Sequence, residues 1–126
     1  MEDYECSKCE FRTTAKSTIK IYRVPRILIF QIKRFKEDYG RYVIDDTEID
    51  YPEDLYMNDF WEDKSSESMY YRLFSVIVHE GNLDAGHYYT YGRNDRGQWA
   101  EYDDAKIRMV DSPKNKDAYI LFYERI

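Results

Sequence analysis

At 126 residues and a formal net charge of −6, the chain has the length of one domain or part of one. It lacks the clustered Lys and Arg that a phosphate backbone requires, which excludes nucleic acid as the main partner. No apolar run approaches the roughly 18 residues of a membrane span, and no signal-type segment follows the N-terminus, so no membrane partner is expected and the expected location is intracellular, cytoplasmic or nuclear.

Fourteen Tyr, six Phe and two Trp against five Gly and three Pro favour strands, because aromatic side chains suit a pleated, half-buried surface. Near the start, Cys6 and Cys9 in CSKC have a spacing that lets two thiolates meet one tetrahedral metal, yet they supply half of a four-ligand structural zinc site. A bound zinc and an unfilled half-site both stay open. A metal or redox module built on CSKC alone is a third use, but a reactive pair of this kind usually opens a helix that lowers its thiolate pKa, whereas this one leads into strand-like sequence. Residues 11–24 partly alternate polar and apolar, which predicts a long, largely exposed strand, so 1–24 reads as an arm. After Pro25, RILIFQIKRF puts Leu28, Phe30 and Ile32 on one side and Ile27, Ile29 and Phe35 on the other, predicting a strand buried on both faces near its start. Gly40 marks a turn, with a short strand following at 42–44.

Residues 45–67 hold ten acidic residues and one lysine, while 1–44 hold six acidic and ten basic ones. Leu55, Met57, Phe60 and Trp61 punctuate the acids without a sustained period. The reading is an acidic insertion loop over 45–68, with at most a helical turn after Pro52, between two ordered parts at 25–44 and 69–126. MYYRLFSVIVHEG is the strongest strand, with Phe74, Val76 and Val78 on one face, Leu73, Ile77 and His79 on the other, and both faces covered. His79 reads as a strand residue held by hydrogen bonds. GHYYTYGR, a turn at 94–97 and QWAEYDD form a hairpin, because Asn, Asp and Gly tolerate the positive φ of a tight reversal. KIRMV and DAYILFYERI add two strands. About eight strands, no long helix and no Gly-rich phosphate fingerprint give a mainly β, antiparallel fold class.

The hairpin carries the candidate chemistry. Folding around 94–97 brings His87 and Asp103 together, so that a carboxylate fixes the imidazole tautomer and leaves the other nitrogen to take a proton from a thiol or hydroxyl. Gly86 leaves room for another chain to approach closely. The same residues at the same spacing also fit a surface imidazole in an ordinary ion pair.

VPRILIFQIKRF, YRLFSVIVHEGNLDAGHYYTY, WAEYDDAKI and DAYILFYER, in that order, with YECSKC ahead of them, resemble the C-terminal half of the ubiquitin-specific protease catalytic domain, a papain-like cysteine protease. The resemblance covers nearly the whole chain and is weakest over 45–68. It implies a complete domain that is α+β, of which this chain is the mainly β part: a palm-like antiparallel sheet over 25–44 and 69–126, and part of the fingers over 1–24. It implies a deubiquitinating, thiol-dependent hydrolase cleaving after the C-terminal glycine of ubiquitin, with ubiquitin and ubiquitinated proteins as partners. By position, His87 matches the general base and Asp103 the residue that orients it. Asp104 matches an acidic neighbour that acts near the oxyanion in some members, although a role in the turn before KIRMV fits equally. Loop 80–86 matches a border of the channel for the ubiquitin tail, which makes Gly86, Tyr88 and Asp84 the implied substrate-binding residues. Tyr88 divides between that role and packing, while Tyr89 and Tyr91 are expected to pack the sheet. Cys6 and Cys9 match two of four ligands of a structural zinc, with no cofactor needed for catalysis. The family's nucleophilic cysteine belongs to an N-terminal box with no counterpart before Cys6, so the N-terminal half of the domain is an implied partner and the chain alone is expected to be inactive. The alternative from another class is a non-catalytic ubiquitin-binding or scaffold module of the same fold.

Overall fold

A computed structural model describes residues 4–8, 11–58, 60, 69–82 and 85–126. Among the described residues there are eleven strands and no helix: β1 Tyr4–Glu5, β2 Arg12–Thr13, β3 Ile27–Gln31, β4 Phe35–Asp38, β5 Arg41–Ile44, β6 Asp54–Tyr56, β7 Tyr70–Gly81, β8 Gly86–Arg93, β9 Trp99–Asp103, β10 Lys106–Val110 and β11 Ala118–Arg125. Seven of them make one antiparallel sheet in the order β10-β9-β8-β7-β11-β3, with β6 pairing Tyr70 to Arg72 on the edge of β7 that β8 takes from Ser75 onward. β1 with β2 and β4 with β5 are separate hairpins. The turn of the second runs through Tyr39 (φ 48°) and Gly40 (φ 75°), two left-handed residues in succession, as a tight hairpin reversal demands. The antiparallel, mainly β class expected from the aromatic composition is what the chain forms.

Strict alternation along β7 is broken. Its ladder with β11 skips Phe74 on β7 and Tyr119 on β11, a pair of compensating bulges. The first one shifts the core face by a residue, so Tyr71, Leu73, Val76 and Val78 are all fully buried, whereas an unbroken two-residue period groups Phe74 with Val76 and Val78. Phe74 instead meets Phe122 at 6.1 Å between ring centroids.

The core lies on one face of the sheet, where Trp99, Tyr91, Ala118, Leu121 and Tyr123 join those residues. Segment 45–58 covers part of it. Tyr51 and Met57 are 3% exposed, and Leu55 of β6 packs against the core, so the stretch expected to be a solvated insertion loop contributes these residues to the core while most of its other described residues stay exposed. Residues 61–68 lie outside the described residues. The carbonyl of each of the three prolines accepts a tyrosine hydroxyl: Tyr71 donates to Pro25, Tyr123 to Pro52 (2.7 Å) and Tyr51 to Pro113 (2.7 Å). These carbonyls sit where the chain leaves the ladder, and the phenols supply the donors that a neighbouring strand does not.

Arg34 is the buried charged residue of the sheet's margin. Its guanidinium donates to the carbonyls of Ala118 (3.1 Å), Asp45 (3.2 Å), Thr47 (2.5 Å) and Lys116 (2.6 Å), tying the approach to β11 to the strand-free stretch after β5.

Two further expectations are corrected. β3 is an edge strand with only one face on the core: Leu28 packs inward while Ile27 and Ile29 are 38% and 56% exposed. The long strand expected over 11–24 reduces to β2 and an isolated bridge at Ile21. Among the described residues, only Arg12 and Thr13 of that stretch run in a ladder, with β1, and a strand exists only through its ladder.

Candidate active site

β8 and β9 are joined by a turn in which the Gly97 amide donates to the Asn94 carbonyl (2.8 Å) and the Asn94 side-chain oxygen accepts from the amides of Arg96 (3.0 Å) and Gln98 (2.9 Å). Gly97 takes φ 76°, the left-handed geometry that glycine adopts without strain. This fixes the register from Arg93↔Trp99 to Thr90↔Tyr102. Continued past its last pair, the register sets Asp103 across from Tyr89, so His87 is its diagonal neighbour on the same face. The imidazole Nε2 and the Asp103 Oδ1 are 2.5 Å apart. A carboxylate only accepts, so in the neutral ring Nε2 carries the proton and Nδ1 keeps its lone pair. The hydrogen bond to Asp103 is the main reason that the His87 pKa is raised; desolvation opposes it, and the charges of Asp103, Asp104 and Glu80 add to it.

Asp104 sits in the two-residue link from β9 to β10 at φ 50°, a conformation Asp tolerates better than most residues. One of its carboxylate oxygens lies within 4.8 Å of both the His87 and Asp103 ligand-type atoms. The turn role and the proximity to the base therefore coexist. Three such groups are spaced closely enough for a divalent ion, but an ion there would displace the proton that Nε2 shares with Asp103. At the other proposed metal position, Cys6 is half-buried beside the β1 hairpin, and Cys9 lies outside the described residues.

The loop between β7 and β8 closes tightly: the Asn82 amide donates to the Ala85 carbonyl (3.0 Å) and the Ala85 amide to the Asn82 side chain (2.8 Å). Asp84 lies outside the described residues. Gly86 stands opposite Gly81, and a Cβ at Gly86 would meet His79 Nε2 at 2.1 Å. The room that this glycine leaves is thus taken by the chain's own His79, which gives it a packing reason distinct from the approach of a second chain. Tyr88, on the opposite face from His87, lies 4.4 Å from the His79 ring and remains 55% exposed, so it packs along one side and is open on the other. Tyr91 is buried and Tyr89 half-buried against the core, as expected. His79 is half-buried among Phe35, Tyr88 and Tyr119.

Two features escape the sequence reading. One is a cavity of about 480 Å³ lined by Phe35 and His79, by four carboxylates (Asp45, Asp46, Glu80, Asp117) and by Arg34 and Lys116; Arg34 spends its donors on the carbonyls already described. The other is a hydrogen-bonded chain beside His87. The Tyr89 hydroxyl donates to Glu80 (2.6 Å) and accepts from Asn115 (2.9 Å), whose backbone amide donates to the Tyr51 hydroxyl (2.9 Å). The only sequence cue to Glu80 is its place six residues before Gly86, a distance that sets a register only once the loop is seen.

With this geometry in view, comparisons with known proteins gain force. Residues 1–123 match the model of the family described as ubiquitin carboxyl-terminal hydrolase. Among similar curated proteins, mouse ubiquitin carboxyl-terminal hydrolase 17-like protein B is 33% identical over 95% of this chain and 26% of its own length. Ubiquitin carboxyl-terminal hydrolase 9 of Arabidopsis thaliana is 34% identical over 96% of this chain and 14% of its own. The chain thus spans at most about a quarter of the length of these relatives. Among solved structures, the SAGA Ubp8/Sgf11/Sus1/Sgf73 DUB module bound to ubiquitin aldehyde superposes with a TM-score of 0.86 at 26% identity, over 98% of this chain and 30% of that one. The same module bound to monoubiquitin gives 0.86 at 27% identity, over 98% and 28%. With the family's model matched from residue 1 to 123, the chain belongs to the ubiquitin carboxyl-terminal hydrolase family.

Proposed function

We propose that residues 1–126 supply the general base and its orienting carboxylate to a deubiquitinating cysteine protease, which hydrolyses the bond after the C-terminal glycine of ubiquitin with a nucleophilic cysteine from another part of the catalytic domain. The observation that carries this is the 2.5 Å contact of His87 Nε2 with Asp103, because it commits one ring nitrogen and leaves Nδ1 as the basic atom. In the proposed reaction the cysteine thiol gives its proton to Nδ1 and the sulfur attacks the glycine carbonyl carbon. The carbonyl electrons move onto oxygen, then return as the carbon–nitrogen bond breaks, and His87 passes the proton to the departing amine. Water, deprotonated by the same nitrogen, then attacks the thioester carbonyl; the carbon–sulfur bond breaks, the proton passes from His87 to the cysteine sulfur, and the ubiquitin carboxylate is released. Asp103 holds the ring in place and steadies its protonated form. The Asp104 carboxylate accepts hydrogen bonds, so its part is to orient a donor toward the oxyanion.

Gly86, Tyr88 and Asp84 are proposed to border the channel for the ubiquitin tail. The carboxylates around the nearby cavity support this, since they attract a cationic side chain threading toward His87. Ubiquitin is the partner in two of the similar solved structures, which supports it as the substrate here. Zinc at Cys6 and Cys9 belongs to the proposal as a structural element outside the reaction.

The test is complementation. The chain is mixed or fused with a cysteine-bearing N-terminal half from a relative, and cleavage of a ubiquitin reporter is followed. His87→Ala is expected to abolish turnover and Asp103→Asn to lower kcat by roughly 10²- to 10⁴-fold, the usual worth of a positioned acid–base group. Full activity in His87→Ala would refute the assignment of the base. Ubiquitin binding with no cleavage in any pairing would favour the scaffold reading.

A further inference from the structure

His87 faces two carboxylates on neighbouring strands, and only one of them holds it. Glu80 of β7 is its direct partner across the ladder, close enough for its charge to act on the ring. Cα atoms so paired stand roughly 4.5 to 5.5 Å apart, a gap that a glutamate side chain spans with ease. Asp103 of β9 is the more distant, diagonal neighbour, yet it is the one bonded to Nε2. What differs is that Glu80 is engaged elsewhere: its carboxylate accepts from the Tyr89 hydroxyl at 2.6 Å. That hydroxyl accepts in turn from Asn115, and Asn115 is anchored through its backbone amide to the buried Tyr51. The Tyr89 ring also lies nearly parallel to the imidazole, at 29° and 6.2 Å between centroids.

We propose that Tyr89 is a positioning residue that holds Glu80 away from His87, so that the imidazole pairs with Asp103 through Nε2 and presents Nδ1 to its reaction partner. The inference rests on His87 being the base of the proposed reaction only in what it means for catalysis; the pairing itself is a property of this chain. If the hydroxyl is lost, Glu80 becomes a second acceptor for the ring, and the neutral imidazole divides between two tautomers. No step of the reaction is then correctly aligned in the molecules that choose Glu80.

Long-range proton–nitrogen correlation spectra of the 126-residue chain, recorded where His87 is neutral, read the tautomer directly, and only His79 shares that spectral region. The wild-type protein is expected to show the Nε2–H form of His87. Tyr89→Phe is expected to add a second, Nδ1–H population. The double variant Tyr89→Phe with Glu80→Gln is expected to return to the Nε2–H form, because the competing charge is gone. An unchanged tautomer in Tyr89→Phe, or a double variant no better than the single one, would overturn the proposal, since a purely packing role for Tyr89 gives no rescue. If Tyr89→Phe does not fold, Asn115→Ala loosens the same hydroxyl and is expected to give the same mixing; its absence would count equally against. In the complemented enzyme, Tyr89→Phe is expected to lower kcat roughly tenfold with KM little changed, and adding Glu80→Gln to recover part of it. Rescue of the tautomer in a chain that never cleaves ubiquitin would leave the positioning role standing and remove the protease reading.

Discussion

The short contact of His87 with Asp103 has a signature in solution. The His87 pKa is raised above its ordinary value of 6.5, chiefly by the hydrogen bond to Asp103, so the folded state favours the protonated ring. The stabilisation from this pairing is therefore complete below 6.5 and fades as the pH rises through the elevated folded value. Asp103→Asn is expected to bring the His87 titration midpoint back toward 6.5 by proton NMR. The gap in urea midpoint between variant and wild type should be widest just below 6.5 and close in alkaline solution; a gap that widens with pH would show the sign to be wrong. His87 and Asp103 were legible in the sequence because a turn recognisable from Asn94 and Gly97 sets their register. Glu80 was not, since its opposition to His87 depends on how β7 and β8 are paired, and the turn residues between them do not fix which residues face each other. Arg34 was equally hidden: nothing in a basic residue beside Lys33 announces that four carbonyls will enclose it.

A strand's face is decided by more than its period. The alternation of β7 is clear in the sequence, and so is its being the strongest strand, but the bulges at Phe74 and Tyr119 arise from matching two strands and have no mark in either alone. Leu73, fully buried, is the test of the shift. Leu73→Ala is expected to cost roughly 2–5 kcal/mol in urea unfolding, whereas Phe74→Ala, from a half-buried position on the other face, should cost distinctly less. The reverse ranking would restore the unbroken alternation. The same limit governs segment 45–58. Its acidity is plain in the composition, yet Tyr51, Leu55 and Met57 place it on the sheet, because burying a few large apolar groups outweighs leaving exposed carboxylates where they already meet water. Over 11–24 the alternation alone did not set the extent of the strand, since among the described residues only Arg12 and Thr13 are laddered, with β1.

At this scale the described residues form one broad sheet beside two small hairpins, with the core mainly on one side of the sheet, β10 and β3 as its outer strands and apolar residues such as Ile29, Ile107 and Met109 open to solvent. Its class was readable from the aromatic composition; which side would be clothed was not, since that depends on the segments crossing the sheet between strands. Those crossings are fastened by phenols. Tyr51, Tyr71 and Tyr123 each donate to a proline carbonyl from within the core, and burial pushes all three phenols up from their ordinary value. Each therefore favours the folded state fully below 10.0, and that advantage is lost as alkali climbs toward the folded values. The fasteners thus double as an optical gauge of the fold. In a spectrophotometric titration with base, the exposed members of the fourteen tyrosines should ionise gradually and reversibly. The three clasped ones should appear late, in one abrupt step of phenolate absorbance that coincides with loss of the strand circular dichroism. A smooth single curve for all the tyrosines would mean that the clasps are open in solution.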